Sequence, residues 1–275
     1  MKHAPEQWRL CPWRSEGESI LAEVVDPPAA AEFRSSYLHR ARPVVLRGLA
    51  SRWTGTRDWT PERLAERFHD REVPVIRLVD GLCRYEHESG VDYGRRTVSQ
   101  YVEALRSSST PEWFLTVRVQ PHFPELEAEL GIPEYCADAL WRDARISIGA
   151  DGTTTPIHVE LAHNLLAVIR GEKELALFSP WQSHRLYFRP LSAAPHISPV
   201  DPYVLDSRRF PRAAGATPWR VVLRSGDVLF LPRGWWHAVR TNGMTIAYSS
   251  WWADGVSSLV PRAAGMYKRL RDLRT

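Results

Sequence analysis

Cysteine is scarce in this 275-residue chain, which contains only Cys11, Cys83 and Cys136. The three are far apart, odd in number, and include no Cys-x-x-Cys pair. This usage argues against a disulfide framework. We therefore expect reduced thiols in a cytoplasmic protein.

Long apolar runs and blocks of like charge are also lacking. No stretch has the apolar length that a membrane-spanning helix needs, and the first residues lack the apolar core of a signal peptide. No run of Lys and Arg, and no basic tract interleaved with aromatics, indicates nucleic-acid binding. We therefore expect neither a membrane nor a nucleic acid as a partner. The net charge of +4 is compatible with an acidic substrate or with ordinary surface charge.

The second half of the sequence is rich in β pattern. With 44% hydrophobic residues, the chain can bury one large core. Before residue 131, short helical and strand patterns alternate, among them a helix with Thr60 as N-cap and Pro61 at its first position. From Ala144 onward, short apolar runs separated by Gly, Pro or polar turns predict a sandwich or barrel. These runs are 144–149, 155–161, 164–170, 173–178, 219–224, 227–231, 237–241 and 244–252.

A pair of metal-ligand side chains stands in this second half. His158 and Glu160 are separated by one residue, and positions two apart on a β-strand point to the same face. The best third donor is His237, in the segment GDVLFLPRGWWHAVR. Two His and one carboxylate form the ligand set of non-haem Fe(II) oxygenases. Three other histidines have no partner at ligand spacing, so we assign them no role: His163, His184 and His196.

Two patterns around these residues resemble the paired motifs of cupins. The first runs through Gly152, His158, Glu160, Asn164 and Gly171, and the second through Gly226, Pro232, Gly234 and His237. Two positions depart from many cupins, because Glu160 replaces their second His and Asn164 stands where they often carry Glu. The fourth protein ligand of those cupins is therefore missing here.

With these departures the chain resembles the JmjC-type, cupin-like 2-oxoglutarate oxygenases, in particular the asparaginyl hydroxylase that inhibits hypoxia-inducible factor. The resemblance runs from residue 43 to residue 251 and is densest at Thr155-Pro156-Ile157-His158 and Trp235-Trp236-His237. It implies a mainly β fold, a double-stranded β-helix (jelly roll) with surrounding helices. It also implies an N-terminal helical and strand extension over 1–110, a catalytic core over 111–253 and a C-terminal helical tail over 254–275.

The resemblance also assigns the site residues position by position. The implied ligands of Fe(II) are His158, Glu160 and His237. The implied contacts of 2-oxoglutarate are Lys173, Thr155, Asn164 and Trp251. Lys173 would pair as a cation with the distal carboxylate of 2-oxoglutarate, and Thr155 would donate its hydroxyl to it.

Two positions depart from the hydroxylase. Phe114 falls where it has a Tyr whose hydroxyl contacts 2-oxoglutarate, and Ser249 falls where it has an Asn. From the residues themselves, we expect Gly171-Glu172-Lys173 to form a hairpin turn that feeds a strand. That strand would carry Leu175 and Leu177 on the same inward face as the lysine.

The reaction implied is hydroxylation of an unactivated C–H bond, with 2-oxoglutarate and O2 consumed and succinate and CO2 formed. The resemblance favours a side chain within a peptide or protein as substrate, including the precursor of a peptide natural product. A free amino acid or small metabolite remains open. So do a metal cupin that does not use 2-oxoglutarate, such as an isomerase or dehydratase, and a non-catalytic binding module. Related hydroxylases dimerise through C-terminal helices, so a homodimer is expected.

Overall fold

The computed structural model of the chain describes residues 10–11, 21–83, 85–86, 90–107, 111–131, 134–192 and 194–254. The predicted C-terminal helical tail lies almost entirely outside these residues. Among the residues described, no helix is long and apolar enough to cross a membrane.

The N-terminal part alternates short helices and strands. Its strands are β1 (Ala22–Val24), β2 (Val44–Leu46), β3 (Glu72–Val79), β4 (Leu82–Cys83), β5 (Tyr85–Glu86), β6 (Gly90–Val91), β7 (Tyr93–Thr97) and β8 (Trp113–Arg118). Its helices are α1 (Ala30–Phe33, continued by a π-helical turn over Arg34–Leu38), α2 (Thr54–Asp58), α3 (Pro61–Arg67), α4 (Val98–Ser107) and α5 (Val119–His122).

Helix α3 begins where the capping pattern predicts. The side chain of Thr60 accepts a hydrogen bond from the backbone nitrogen of Arg63 at 3.1 Å, and Pro61 occupies the first turn. Leu64, inside the helix, and Phe68, at its C-cap, are both buried in the outer core. Helix α3 therefore covers one outer face of the barrel.

The second half consists of six strands. They are β9 (Trp141–Gly149), β10 (Thr154–Val159), β11 (His163–Phe178), β12 (Trp219–Arg224), β13 (Val228–Leu231) and β14 (Trp236–Ala253). Strands β11 and β14 are each longer than the sequence pattern indicates, because two neighbouring apolar runs join into one strand in each case. Four short 3-10 turns complete the described elements of this half and of the segment before it, at Pro124–Glu129, Glu134–Cys136, Pro180–Gln182 and Pro211–Gly215.

The barrel is organised around the long antiparallel pair of β11 and β14, which runs from His163↔Trp252 to Phe178↔Trp236 with two register shifts between Val168 and Glu172. The first half of β11 pairs with β13 and its second half with β12. Strand β14 likewise pairs with β10 near its start and with β9 toward its end. Two sheets that share two long strands form a double-stranded β-helix, so the predicted fold is confirmed.

The N-terminal strands extend this same barrel. Strand β2 pairs with β13, β4 with β10, and β8 with β9. The barrel interior holds an apolar cluster that includes Leu166, Leu175, Leu177, Leu229 and Val45. Segment 180–216, together with Leu10 and Cys11, covers one outer face, while the N-terminal helices cover the other.

Candidate metal and co-substrate site

His158 and His237 face each other across β10 and β14. They are directly paired in the ladder, and their ring centroids lie 4.0 Å apart. Glu160 follows one residue after the end of β10, and its Oε1 lies 4.0 Å from Nε2 of His158. One donor atom from each of the three residues lies within 4.8 Å of the others. The structure therefore brings together the three predicted ligands.

Backbone hydrogen bonds orient both imidazoles. Nδ1 of His158 lies 2.8 Å from the carbonyl oxygen of Pro156, and Nδ1 of His237 lies 3.3 Å from that of Trp235. An Nδ1–H that donates to a carbonyl leaves the Nε2 lone pair available as a ligand. Both rings thus present the nitrogen that a metal would need.

The electrostatics of the three residues also fit a divalent cation. Burial lowers the pKa of His158 to about 4 and that of His237 well below its usual value, so both rings are neutral at pH 7. Burial raises the pKa of Glu160 to about 7, although Trp251, Arg145 and Asn164 oppose this shift. Neutral imidazoles are competent ligands, and a bound cation would favour the ionised carboxylate.

Lys173 is buried inside the barrel, with 4% of its surface exposed. Its Nζ donates to Oγ1 of Thr241 at 3.3 Å, and burial lowers its pKa to about 8. Among the described residues, no carboxylate lies within ion-pair distance of Nζ. A buried cation without a carboxylate partner is costly, so this position fits an anionic ligand.

The other predicted co-substrate residues lie on the same inner surface. Thr155 pairs with Val239, which lies between His237 and Thr241 along one face of β14. Trp251 donates its indole N–H to Oε2 of Glu160. These two residues therefore line the space between the triad and Lys173.

Asn164 lies directly opposite Trp251 in the ladder between β11 and β14. Its amide forms a hydrogen bond with Glu160, whereas its Oδ1 is buried without a hydrogen-bond partner among the described residues. An unsatisfied buried oxygen is unfavourable, so a donor from a bound molecule or water would suit this position. Asn164 therefore points to a bound group beside the triad.

The expected hairpin turn at Gly171-Glu172-Lys173 is wrong. These residues lie inside β11, which continues through two register shifts between Val168 and Glu172. Gly171 has φ of +81°, and a β-carbon there would lie 2.3 Å from the carbonyl oxygen of Met244. The glycine accommodates a β-bulge rather than a chain reversal, and the lysine face still points inward.

The two departures from the hydroxylase pattern occupy different parts of the barrel. Phe114 is buried in a small apolar cluster with Ile76, Leu78 and Cys83. Ser249 pairs with Leu166 of β11 on one side and Arg145 of β9 on the other. The apolar wall at Phe114 therefore replaces a hydroxyl that the resemblance would place there.

Sequence reasoning missed two polar residues of this space, Thr241 and Arg145. Thr241 lies four residues after His237 on the same strand face, so strict alternation along β14 could have identified it. Arg145 lies in β9, where the apolar run 144–149 does not reveal which face is inward. The ring of His163 packs between those of Phe230 and Trp252.

A jelly-roll barrel with two His and one Glu converging inside it defines a cupin fold with a candidate metal centre. The chain belongs to the cupin-like domain family, whose model matches residues 29–258. The expected relationship to JmjC proteins is confirmed by the relatives that the chain matches.

Lysine-specific demethylase 8 of Xenopus tropicalis is 29% identical over 234 residues, which cover 82% of this chain and 51% of that protein. Jumonji C domain-containing protein 5 of Drosophila melanogaster is 24% identical over 83% of this chain and 59% of its own length. tRNA wybutosine-synthesizing protein 5 of Danio rerio is 25% identical over 66% of this chain and 60% of that protein. The chain thus spans only about half to three fifths of these relatives.

Among solved structures, the crystal structure of E. coli ycfD superimposes with a TM-score of 0.52. The match covers 90% of this chain and 58% of that one, at 17% sequence identity. At this identity the similarity supports the fold alone.

Proposed function

We propose that the protein is an Fe(II)- and 2-oxoglutarate-dependent oxygenase that hydroxylates an unactivated C–H bond. The substrate we favour is an amino-acid side chain within a peptide or protein. The observation that carries this proposal is the combination of the triad His158, Glu160 and His237 with the buried cation of Lys173 on an adjoining inner wall. A metal cupin of another chemistry would need a different anionic ligand to balance that cation.

In this proposal His158, Glu160 and His237 would hold the metal, and a ligand set of this kind leaves room for co-substrate and O2. Bound iron supplies O2 activation coupled to the oxidative decarboxylation of 2-oxoglutarate. Trp251 and Asn164 hydrogen-bond the carboxylate of Glu160 and fix its orientation. Such supporting contacts typically decide metal affinity as strongly as ligand geometry does.

The inner wall supplies binding rather than acid–base chemistry. Lys173 and Thr155 would hold the distal carboxylate of 2-oxoglutarate, so that its 2-oxo acid end faces the metal. Leu175, Leu177 and Val239 line the same wall and exclude water from the space between. A dry, fixed geometry directs the oxidising chemistry to the substrate rather than to solvent.

A peptide or protein substrate is supported by the relatives, four of which carry the name lysine-specific demethylase. Segment 180–216 lies beside the triad, because Ile197 forms a β-bridge with His158 and the carbonyl of His196 accepts from the backbone of Val159. Long segments that border a rigid site commonly form the substrate surface.

The cytoplasmic location and the 111–253 catalytic core remain predictions.

The decisive test is an anaerobic titration of 2-oxoglutarate into the Fe(II)-loaded protein. Binding is monitored by the visible charge-transfer absorption of the complex. We expect saturable binding, and succinate formation once O2 is admitted. Mass spectrometry of candidate peptides then locates an added oxygen atom. Absence of 2-oxoglutarate binding to the iron-loaded protein would contradict the proposal.

A further inference from the structure

Arg145 lies on the inner face of β9, beside the candidate metal centre. Its neighbours Ile146 and Ile148 pack into the outer core, so alternation turns the Arg145 side chain toward the barrel interior. Its guanidinium carbon lies 5.8 Å from the centre of the Trp251 ring, and the indole of Trp251 donates to Glu160. Arg145 therefore lies beside the Trp251 ring, which orients the predicted metal ligand Glu160.

The guanidinium of Arg145 forms no ion pair or hydrogen bond with any residue in the described ranges. The nearest acidic residue on its own strand, Asp143, is already engaged. Its Oδ2 pairs with Nε of Arg118 at 3.1 Å, and its Oδ1 accepts from the backbone of Ala144. Asp143 is thus not a counter-ion for Arg145.

One of the two residues paired with Arg145 across the strands carries the same charge. Arg118 of β8 is its direct partner in the ladder, while Ser249 of β14, on the other side, carries no charge. Two adjacent arginines on one sheet face repel each other. Glu160 is the remaining carboxylate whose charge interacts with Arg145, and in the proposed function that charge is balanced by the metal. The loaded site would therefore have an uncompensated positive charge at Arg145.

Segment 180–216, which borders the triad through Ile197 and His196, has an excess of positively charged residues. It contains five arginines and two aspartates. Both aspartates are used in turns, since Asp201 accepts from the backbone of Tyr203 and Asp206 from that of Arg208. The segment that borders the triad therefore carries an excess of positive charge, which complements an acidic substrate.

We propose that Arg145 is a specificity-determining residue that binds a carboxylate of the substrate. The preferred substrate would then carry an acidic side chain, or a free α-carboxylate, close to the C–H bond that reacts. This inference rests on the proposed function. Arg145 is suited to the role because its planar guanidinium can form two parallel hydrogen bonds to a carboxylate.

The test uses the full chain loaded with Mn(II), which is inert toward O2 here, and saturated with 2-oxoglutarate. The probes are heptapeptides of Gly and Ser with an acetylated N-terminus and an amidated C-terminus. Each has Asp at its central position, and the residue after this Asp is varied over all twenty amino acids. Matched peptides carry Asn in place of Asp. A second set compares N-acetyl amino acids with their primary amides. Binding is measured by calorimetry, and succinate formation by the Fe(II) protein is recorded in parallel.

For the wild type we expect at least one carboxylate series to bind about tenfold or more tightly than its amide counterpart, as a charge-assisted hydrogen bond would provide. Arg145→Gln should abolish this preference while retaining metal and 2-oxoglutarate binding, and Arg145→Lys should preserve part of it. Arg118→Gln is the matched control, because it removes an adjacent arginine that is already paired, and the preference should persist. A preference for the N-acetyl acids alone would assign the carboxylate to a small-molecule substrate.

Several results would overturn the inference. One is equal binding of acids and amides by the wild type, including no binding of either. Another is a preference that survives Arg145→Gln. A third is a tenfold loss of 2-oxoglutarate affinity in Arg145→Gln, which would make Arg145 a co-substrate contact. If the wild type itself fails to bind 2-oxoglutarate, the proposed function fails first, and that result is separate from the three above.

Discussion

The ammonium nitrogen of Lys173 on β11 and the hydroxyl oxygen of Thr241 on β14 lie 3.3 Å apart inside the barrel. The two residues are direct partners in the ladder, and Thr241 lies four positions after His237 along β14. A neutral hydroxyl satisfies one donor of the ammonium group but does not balance its charge. The lysine is therefore held in place for an anion that the protein itself does not supply within the described residues.

Lys173→Met should retain iron and weaken 2-oxoglutarate binding at least about tenfold, equivalent to about 1.4 kcal/mol. Anaerobic titration of 2-oxoglutarate into wild-type and variant proteins measures this effect. Equal affinity in both would remove Lys173 from the co-substrate site and favour a cupin of another chemistry.

The same variant should be more stable than the wild type when neither metal nor co-substrate is bound. Burial lowers the pKa of Lys173 from 10.5 to about 8, so at pH 7 the folded protein holds a cation that burial disfavours. The cost corresponds to about 3 kcal/mol, since each pKa unit is about 1.4 kcal/mol. Urea unfolding at pH 7 should show a gain of this order for Lys173→Met, and a loss of stability would argue against it.

Affinity for 2-oxoglutarate should depend on pH through Lys173. The lysine must be charged to bind the carboxylate, and the free protein loses that charge as pH rises through about 8. The dissociation constant should therefore increase about tenfold between about pH 7 and about pH 9. Lys173→Met is the control, because its weaker binding should not change over this range. A wild-type affinity that is constant up to about pH 9 would contradict the assignment.

Removal of a metal ligand should empty the metal site. We expect His158→Ala and His237→Ala to lose iron affinity by at least about tenfold, because each deletes one of three protein donors. Metal content after gel filtration measures the loss. The exposed His184 lies outside the triad, so His184→Ala is the matched control. Full iron occupancy in both ligand variants would refute the site.

Phe114→Tyr should strengthen 2-oxoglutarate binding. Phe114 packs against Cys83, whose thiol interacts electrostatically with Lys173, so a phenol at this position would lie near the lysine-bound carboxylate. One neutral hydrogen bond adds about 1 kcal/mol, or about fivefold in affinity. The same anaerobic titration measures it, and weaker binding would show that the apolar wall itself is required.

The homodimer remains a prediction that rests on the C-terminal segment, outside the described residues. Met266, Leu270 and Leu273 have helical spacing but form a face too narrow for a core of its own. Light scattering should give two chains per particle for the full chain and one after truncation at Ser257. A mass per particle that changes only by the lost residues would count against the dimer.

The convergence of the triad could be predicted from the sequence, because the spacing of His158 and Glu160 places them on one side and a recognisable motif supplies His237. Strand pairing was harder to predict. Gly171 has the local signature of a turn, and only the position of β14 beside it shows that the chain continues as a bulged strand. Arg145 escaped notice for a related reason, since its inward direction depends on which face of β9 the N-terminal helices cover.

The bulge at Gly171 has a consequence for how the site can vary. Strand β11 carries Asn164 before the bulge and Lys173 after it, and β14 carries Trp251 and His237 opposite the two halves. A slip of one residue between these strands would turn side chains of both halves outward together. Any residue larger than glycine at 171 would collide with the backbone of Met244 and invite such a slip. A substitution at Gly171 could therefore misalign His237, Lys173 and Trp251 together. The resulting loss of activity would resemble that of a variant in which a metal ligand is removed.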